Sequence, residues 1–268
     1  MVLISGVARG QGRSHALRCA AEGADIIGFD ICEDIGPVPY RMASFDDLQT
    51  TVGLVERAGG RILASKADVR ERKELELVVD QGLDRFGSVD LVIANAGIFC
   101  GAGELARSDG AWQDTIDVNL TGTFNTLEAA VPALLASGRG GSVVITSSGA
   151  GLKAMVRDWN KSSYGYLSYN ATKHALVGLM RSYALMLAPH SIRVNSVHPT
   201  GVNTAMIDNP VVQEYFASQP ENQLLGNAMP IGAIEPSDVS DAVVWLCSDE
   251  AKYVTGVALP VDAGSLLL

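Results

Sequence analysis

Val2-Leu3-Ile4-Ser5-Gly6-Val7-Ala8-Arg9-Gly10-Gln11-Gly12 is the stretch on which the fold turns. Val2 to Ser5 is a short apolar run that reads as a buried strand. Glycines follow at G-x-x-x-G-x-G spacing, and Ser14 to Glu22 has helical character. A strand, a glycine-rich turn and a helix in that order aim helix-terminal N–H groups at a pyrophosphate. Glycine permits both the tight turn and a close approach of backbone to phosphate. Gly6, Arg9, Gly10, Gln11 and Gly12 are therefore candidate binding residues. The spacing departs from G-x-G-x-x-G, so on this stretch alone a glycine-rich turn without a ligand stays open.

Working outward, Ala24 to Phe29 reads as a second strand that ends at Asp30-Ile31, 18 residues beyond Gly12. A carboxylate there accepts hydrogen bonds from an adenosine ribose and repels a 2′-phosphate, which argues for NAD over NADP. Arg9 could welcome that phosphate, but Asp30 is better placed to decide. A plain strand-end aspartate is the alternative. The theme then repeats. Arg61 to Lys66 is a strand leading to Ala67-Asp68-Val69, and a helix runs from Glu71 to Phe86. Val89 to Ala94 is a strand ending at Asn95-Ala96-Gly97. A helix capped by Ser108 runs through Trp112, Ile116 and Leu120. Ser142 to Thr146 is a strand ending at Ser147-Ser148, and Ile192 to Val197 is another. Ser237 to Cys247 is the last helix and Gly256 to Val261 the last strand. This alternation predicts an α/β fold over residues 1–268, one Rossmann-type doubly wound parallel sheet with helices on both faces. Functional loops should gather at the carboxyl ends of the strands, where Asn95, Ser148 and Pro199 lie.

Between the last two of those strand–helix units stands Tyr169-Asn170-Ala171-Thr172-Lys173. On a helix, residues four apart share a face. A phenol ordinarily titrates near pH 10, and an ammonium one turn away favours its ionised form. With a serine hydroxyl nearby to hold an oxygen, this set can move a proton on and off an alcohol.

Composition narrows the setting. The chain has 268 residues, 47% of them hydrophobic, and a formal net charge of -10 without a basic cluster, which speaks against nucleic-acid binding. No signal peptide and no apolar run of spanning length is visible, which leads to the expectation of a cytoplasmic protein that does not enter a membrane. Cys19, Cys32, Cys100 and Cys247 are scattered and read as reduced thiols, and with only four dispersed histidines no metal site is expected. Residues 31–44 and 149–168 interrupt the alternation as loops, functional or decorative. Ser44 with Asp47 resembles a capping box. In 149–168 and in 203–229, a candidate substrate-loop region, Met155, Trp159, Tyr164, Met206, Ile207, Tyr215 and Phe216 are candidates to line or lid a pocket. They suggest a hydrophobic alcohol, with core or subunit contacts as the other reading.

Ser5-Gly6-x-x-x-Gly10-x-Gly12, Asp68-Val69, Asn95-Ala96-Gly97, Asn119, Ser148, Tyr169-x-x-x-Lys173 and His198-Pro199 occur in the order seen in short-chain dehydrogenases/reductases, and the chain resembles that family over nearly its whole length. The resemblance implies that Tyr169 is the acid/base and that Lys173 lowers its pKa and binds the nicotinamide ribose. Ser148 would orient the substrate oxygen, and Asn119 would hold a water in a proton relay. Asp68 would meet the adenine, Asn95 to Gly97 would flank the adenosine ribose, Val202 and Thr204 would meet the carboxamide, and Pro199 would also bind the cofactor. Ser148 is chosen over Ser147 because the family uses the second serine of such a pair. His198 is expected to be structural. Ser5 stands where the family has Thr, Ala94 where it has Asn, and Thr200 where it has Gly.

Gly-x-Ala-Arg-Gly-Gln-Gly-Arg-Ser-His, Asp30-Ile31-Cys32 with its insertion, and Val197 to Thr204 resemble the carveol-dehydrogenase-like, mycofactocin-associated branch of the family. That implies NAD held without ready exchange, an external redox carrier of the mycofactocin type, a terpenoid-like alcohol or ketone substrate, and a homotetramer. It also gives residues 31–44 the task of covering the cofactor. Two other functions stay in view. An enoyl reductase of the same fold would use Tyr166, nearly two helical turns before Lys173. A non-catalytic NAD-binding sensor would bind the dinucleotide without turnover.

Overall fold

The computed structural model describes residues 1–154, 158–218 and 226–268. It forms a seven-stranded parallel sheet. The strands are β1 (Val2–Ser5), β2 (Ile26–Asp30), β3 (Ile62–Lys66), β4 (Leu91–Ala94), β5 (Gly141–Thr146), β6 (Ile192–Pro199) and β7 (Ala258–Val261), in the spatial order β3-β2-β1-β4-β5-β6-β7. The order reverses between β1 and β4, so a crevice opens at their carboxyl ends.

Alternate side chains of each strand feed two cores. Leu3, Ile27, Val92 and Val143 pack on one face against α3 (Arg72–Phe86), α5 (Gly122–Ser137) and α6 (Tyr164–Leu187), through Leu75, Leu127 and Met180. Val2, Ile4, Ile26 and Ile93 pack on the other face against α1 (Gly10–Ala21), α2 (Phe45–Arg57) and α8 (Pro236–Cys247), through Ala16, Leu48 and Val243. α4 (Asp109–Ile116) packs on α6, and α7 (Pro210–Ala217) follows β6.

The helix termini explain most of the boundaries. Ser44 and Asp47 form the expected capping box on α2, with Asp47 N donating to Ser44 Oγ at 3.2 Å and Ser44 N to Asp47 Oδ2 at 2.8 Å. Ser108 caps α4 by accepting from Ala111 N at 3.1 Å. α4 continues into α5 through a π-turn, Asp117–Thr121, which contains Asn119. Four elements differ most from expectation. α6 starts at Tyr164, so the last residues of the expected 149–168 loop are helix, capped by Ser163, which accepts from Tyr166 N. α1 starts at Gly10 rather than Ser14, so Gly10-Gln11-Gly12 form its first turn, which no side chain caps. β6 extends to Pro199, whose neighbour across the sheet is Val261. Residues 210–217 form α7, entered by Asn209 as cap and Pro210 at the first helical position. The four cysteines are free. Among the described residues no helix is long and apolar enough to cross a membrane.

Candidate active site

Two pockets lie at the carboxyl ends of the strands and meet at Gln11, Thr204 and Met206. Gly6, Arg9, Gly10 and Gln11 line the first from the β1–α1 turn. Asp30 and Ile31 enter it from β2, Asp68 and Val69 from beyond β3, and Asn95, Ala96 and Gly97 from beyond β4. Gly6 has a φ of +69°, and a Cβ on it would stand 2.9 Å from the Ala96 backbone. Gly12 does not line the pocket. A Cβ there would fall 1.9 Å from the Gly6 carbonyl oxygen, so its smallness seats α1 against the turn.

Asp30, Asp68 and Asn95 each have a definite holder. Asp30 accepts from Ala8 N at 3.0 Å and Cys32 N at 3.3 Å, which aims the carboxylate across the turn. Burial pushes its carboxyl above the usual carboxylate range, opposed by those amides and by the nearby Arg9 cation. The Asp68 carboxylate is gripped by the Arg70 guanidinium at 2.6 Å and by Arg70 N at 2.9 Å. Asn95 ties three strand ends together: Ser5 Oγ accepts from Asn95 N and from Ala96 N, each at 3.0 Å, and Thr146 Oγ1 donates to Asn95 Oδ1 at 3.3 Å. Ser5 thus performs this role with a hydroxyl, as Thr would. Gln11 Oε1 is buried with no hydrogen-bond partner among the described residues.

The segment 31–44 is folded over this pocket. Ile35, Tyr40, Met42 and Ala43 line it alongside Ile31. Asp34 Oδ1 accepts from Met42 N at 2.7 Å and the Tyr40 hydroxyl accepts from Phe99 N at 3.1 Å, which pins the segment to the loop beyond β4.

The second pocket holds Ser148 and Tyr169. Their hydroxyls neighbour one another closely enough for Ser148 to favour the ionised form of Tyr169. Ser147 has a different fate: its hydroxyl donates to Lys173 O at 2.9 Å, inside the protein. Lys173 is 4% exposed, its Nζ stands 5.6 Å from the centroid of the Tyr169 ring, and it donates to Thr146 O at 2.9 Å. Burial pulls its ammonium down to about 8. Burial also pushes the Tyr169 phenol above its ordinary value, and the Ser148 hydrogen bond opposes that rise. Desolvation is therefore the larger influence on Tyr169, with Ser148 acting against it.

Supporting groups stand behind these three. His198 Nδ1 meets Ser148 O at 2.8 Å, and its Nε2 meets Ser196 Oγ at 2.8 Å. A carbonyl can only accept, so Nδ1 carries the proton and Nε2 receives the Ser196 hydroxyl. Burial lowers this histidine to about 4, which keeps it neutral. Asn119 lines neither pocket. Its side chain spans Ile98, accepting from the amide at 2.8 Å and donating to the carbonyl at 2.9 Å, while its own carbonyl takes the Thr123 hydroxyl at 2.8 Å. Pro199 and Val202 line the second pocket and Thr204 lines both, with Val202 bridged to Ile234.

An aromatic wall completes the second pocket. Phe99 meets Tyr169 edge-on at 5.2 Å and Tyr166 at 5.6 Å, and stacks on Phe216 at 6.2 Å. Met206, Ile207 and Phe216 line the pocket as expected from sequence, and Tyr215 packs on Tyr166. Trp159 and Tyr164 do not line it, being 85% and 48% exposed. Met155 lies outside the described residues. Sequence reasoning missed Phe99, Tyr40, Lys153 and Ser265. Phe99 could have been found from its place just beyond Asn95-Ala96-Gly97, and Ser265 had no local signal.

The chain matches over residues 6–265 the family model described as enoyl-(acyl carrier protein) reductase. It is 45% identical to the (-)-trans-carveol dehydrogenase of Rhodococcus erythropolis, over 100% of this chain and 97% of that protein. The solved structure of carveol dehydrogenase from Mycobacterium avium in complex with NAD is 45% identical, with a TM-score of 0.91, covering 100% of this chain and 97% of that one. A short chain dehydrogenase from Mycobacterium paratuberculosis bound to NAD is 43% identical, with a TM-score of 0.91 and the same coverage.

Proposed function

The chain belongs to the short-chain dehydrogenase/reductase family and is an NAD-dependent oxidoreductase, and from that premise we propose that it interconverts a hydrophobic cyclic secondary alcohol, of carveol type, with its ketone. The observation that carries this reading is the Ser148–Tyr169 hydroxyl pair backed by Lys173, set in the pocket that adjoins the first one.

The first pocket suits a dinucleotide. The uncapped first turn of α1 and the close-packed Gly6 and Gly12 leave backbone amides to face a pyrophosphate. Asp30 would take the adenosine ribose, Asp68 and Val69 the adenine side, and Asn95 to Gly97 the far wall. Gln11 Oε1 offers a buried acceptor for a donor on the cofactor. NAD supplies the hydride acceptor. Tyr169 as phenolate would take the hydroxyl proton of the alcohol while Ser148 holds the same oxygen, so alcohol becomes ketone by loss of one hydride and one proton. Lys173 would stabilise the phenolate and hold the nicotinamide ribose. Orientation and electrostatic stabilisation supply most of the rate. Asn119 would contribute to a water relay through the π-turn.

The aromatic and aliphatic wall supports a hydrophobic substrate. The fold of 31–44 over the first pocket supports NAD held without ready exchange, which would require an external carrier of the mycofactocin type. A homotetramer in the cytoplasm belongs to the same reading. Enoyl reduction through Tyr166 has less support: that ring is buried in the hydrophobic cluster, and the Ser148 hydroxyl acts on Tyr169 rather than on Tyr166.

Tyr169→Phe tests the proposal. Turnover of a cyclic secondary alcohol should fall by at least about a hundredfold, within the range of general acid–base catalysis, while NAD binding measured by fluorescence persists. Retained turnover would overturn it.

A further inference from the structure

The second pocket contains a charge that the reaction at Tyr169 does not use. Lys153 lines it, half-buried, and its Nζ donates to the main-chain oxygen of Ser265 at 2.6 Å. An ammonium has three donors, and this bond takes one. No described residue lining the pocket is an Asp or Glu, and Lys153 forms no ion pair among the described residues. The chain as a whole has 30 acidic and 20 basic residues, so a cation without a carboxylate runs against its background charge. Lys173, the other lysine nearby, is committed to Thr146 O behind Tyr169. The wall around Lys153 is otherwise neutral: Phe216, Ile207 and Met206 on one part, Ser265 and Thr200 on another.

We propose that Lys153 is a specificity-determining residue that receives a carboxylate on the substrate, so that the preferred substrate is a cyclic hydroxy acid, or its keto acid, with a hydrophobic ring. This rests on the reading of the second pocket as the alcohol site. The physical reason is that no described side chain of the pocket supplies a counter-charge. In a half-buried pocket a charge-assisted hydrogen bond is stronger than a neutral one, and Ser265 O, a neutral acceptor, leaves the ammonium uncompensated. A substrate carboxylate would supply both the charge and the acceptors, while the ring occupies the aromatic wall and the carbinol oxygen reaches Ser148 and Tyr169. Lys153 sits only five residues beyond Ser148 on one loop, and Asn170 Nδ2 pins that loop to α6 by donating to Ala150 O at 3.0 Å. The cation and the hydroxyl pair are thus held in one frame.

The test compares 3-hydroxycyclohexanecarboxylate with its methyl ester, oxidised by the same enzyme preparation. The wild type should favour the carboxylate by about tenfold or more in kcat/KM, expressed mainly in KM, as expected for a charge-assisted contact. Lys153→Met should collapse that ratio to about one, and Lys153→Arg should preserve most of it. As a readout apart from turnover, the 3-ketocyclohexanecarboxylate should raise the thermal midpoint of the wild type with NAD, and not that of Lys153→Met. A staple between Lys153 and the carboxyl-terminal turn would instead lower both substrates together and leave their ratio intact. That result, or a wild type that prefers the ester, overturns the proposal while leaving the alcohol dehydrogenase reading in place. Failure of the wild type on both substrates and on carveol would overturn the two together.

Discussion

Ser147 and Ser148 are chemically identical neighbours whose roles are separated by where the chain turns after β5. Ser147 points into the protein and holds the Lys173 carbonyl, whereas Ser148 faces the pocket and meets the Tyr169 hydroxyl. A neutral His198 fixes the Ser148 carbonyl from behind. The consequence at this scale is a pH effect. Alcohol oxidation needs Tyr169 ionised, so kcat/KM for oxidation should climb as pH rises, and reduction should fall. Burial raises the Tyr169 pKa and the Ser148 hydrogen bond lowers it. Ser148→Ala should therefore move the rising limb to higher pH as well as reduce the rate by about a hundredfold. A loss of rate with the limb unmoved would separate Ser148 from Tyr169 ionisation. Tyr169 and Lys173 themselves were legible in the sequence, because four residues on a helix is one turn. The choice between the two serines was not, since it depends on a backbone direction that no residue type encodes.

At the scale of elements, the segment 31–44 interrupts the strand–helix alternation and supplies much of the first pocket's wall. Its prolines and short apolar stretches read as a loop, and only the family resemblance gave it the task of covering the cofactor. Folded, it places Ile35, Tyr40 and Met42 in the pocket and, through Tyr40, joins the hydrophobic cluster of Phe99, Tyr166 and Val212. Tyr40 is the pin, since its hydroxyl satisfies the buried Phe99 amide. Tyr40→Ala removes a buried ring, a change that costs about 3–5 kcal/mol for large aromatics, and leaves that amide unpartnered. If the segment retains the dinucleotide, NAD(H) released on denaturation after long dialysis should approach one per chain in the wild type. It should drop to half or less in the variant. Equal retention in both would detach the segment from cofactor holding. The early start of α1 is a similar case. Two glycines in Gly10-Gln11-Gly12 disfavour helix by propensity, yet the tight seat against Gly6 admits nothing larger at residue 12 and the helix begins there.

For the whole molecule, buried titratable groups set the response to pH. His15 lies wholly inside between α1 and α8, with Nδ1 on Ser240 Oγ at 2.8 Å, and burial lowers it to about 4, as it does His198. Their ordinary value is 6.5. Between those values the unfolded chain binds more protons than the folded one, so stability present above about pH 6.5 is lost as pH falls toward 4. Denaturant midpoints should decline over that window, and His15→Gln should give a shallower decline. An unaltered slope in the variant would exclude His15 as a source. Lys173 acts with the same sign at the alkaline end: its burial penalty is present at neutral pH and fades as pH rises from about 8 toward 10.5.

The sequence by itself determined the parallel α/β sheet, the strand ends that carry Asp30, Asn95 and Ser148, the glycine-rich turn, and the Tyr169–Lys173 pair. These follow from periodicity and fixed spacing, which are local properties of a chain. Tertiary structure alone decided that Asn119 is taken up by the Ile98 backbone, that Trp159 faces solvent, and that burial raises the Tyr169 pKa against the influence of Ser148. It alone brought Lys153 beside Ser265, 112 residues away in sequence, at the edge of the substrate pocket. Burial and charge compensation depend on groups distant in the chain, and only packing brings those groups within reach of one another.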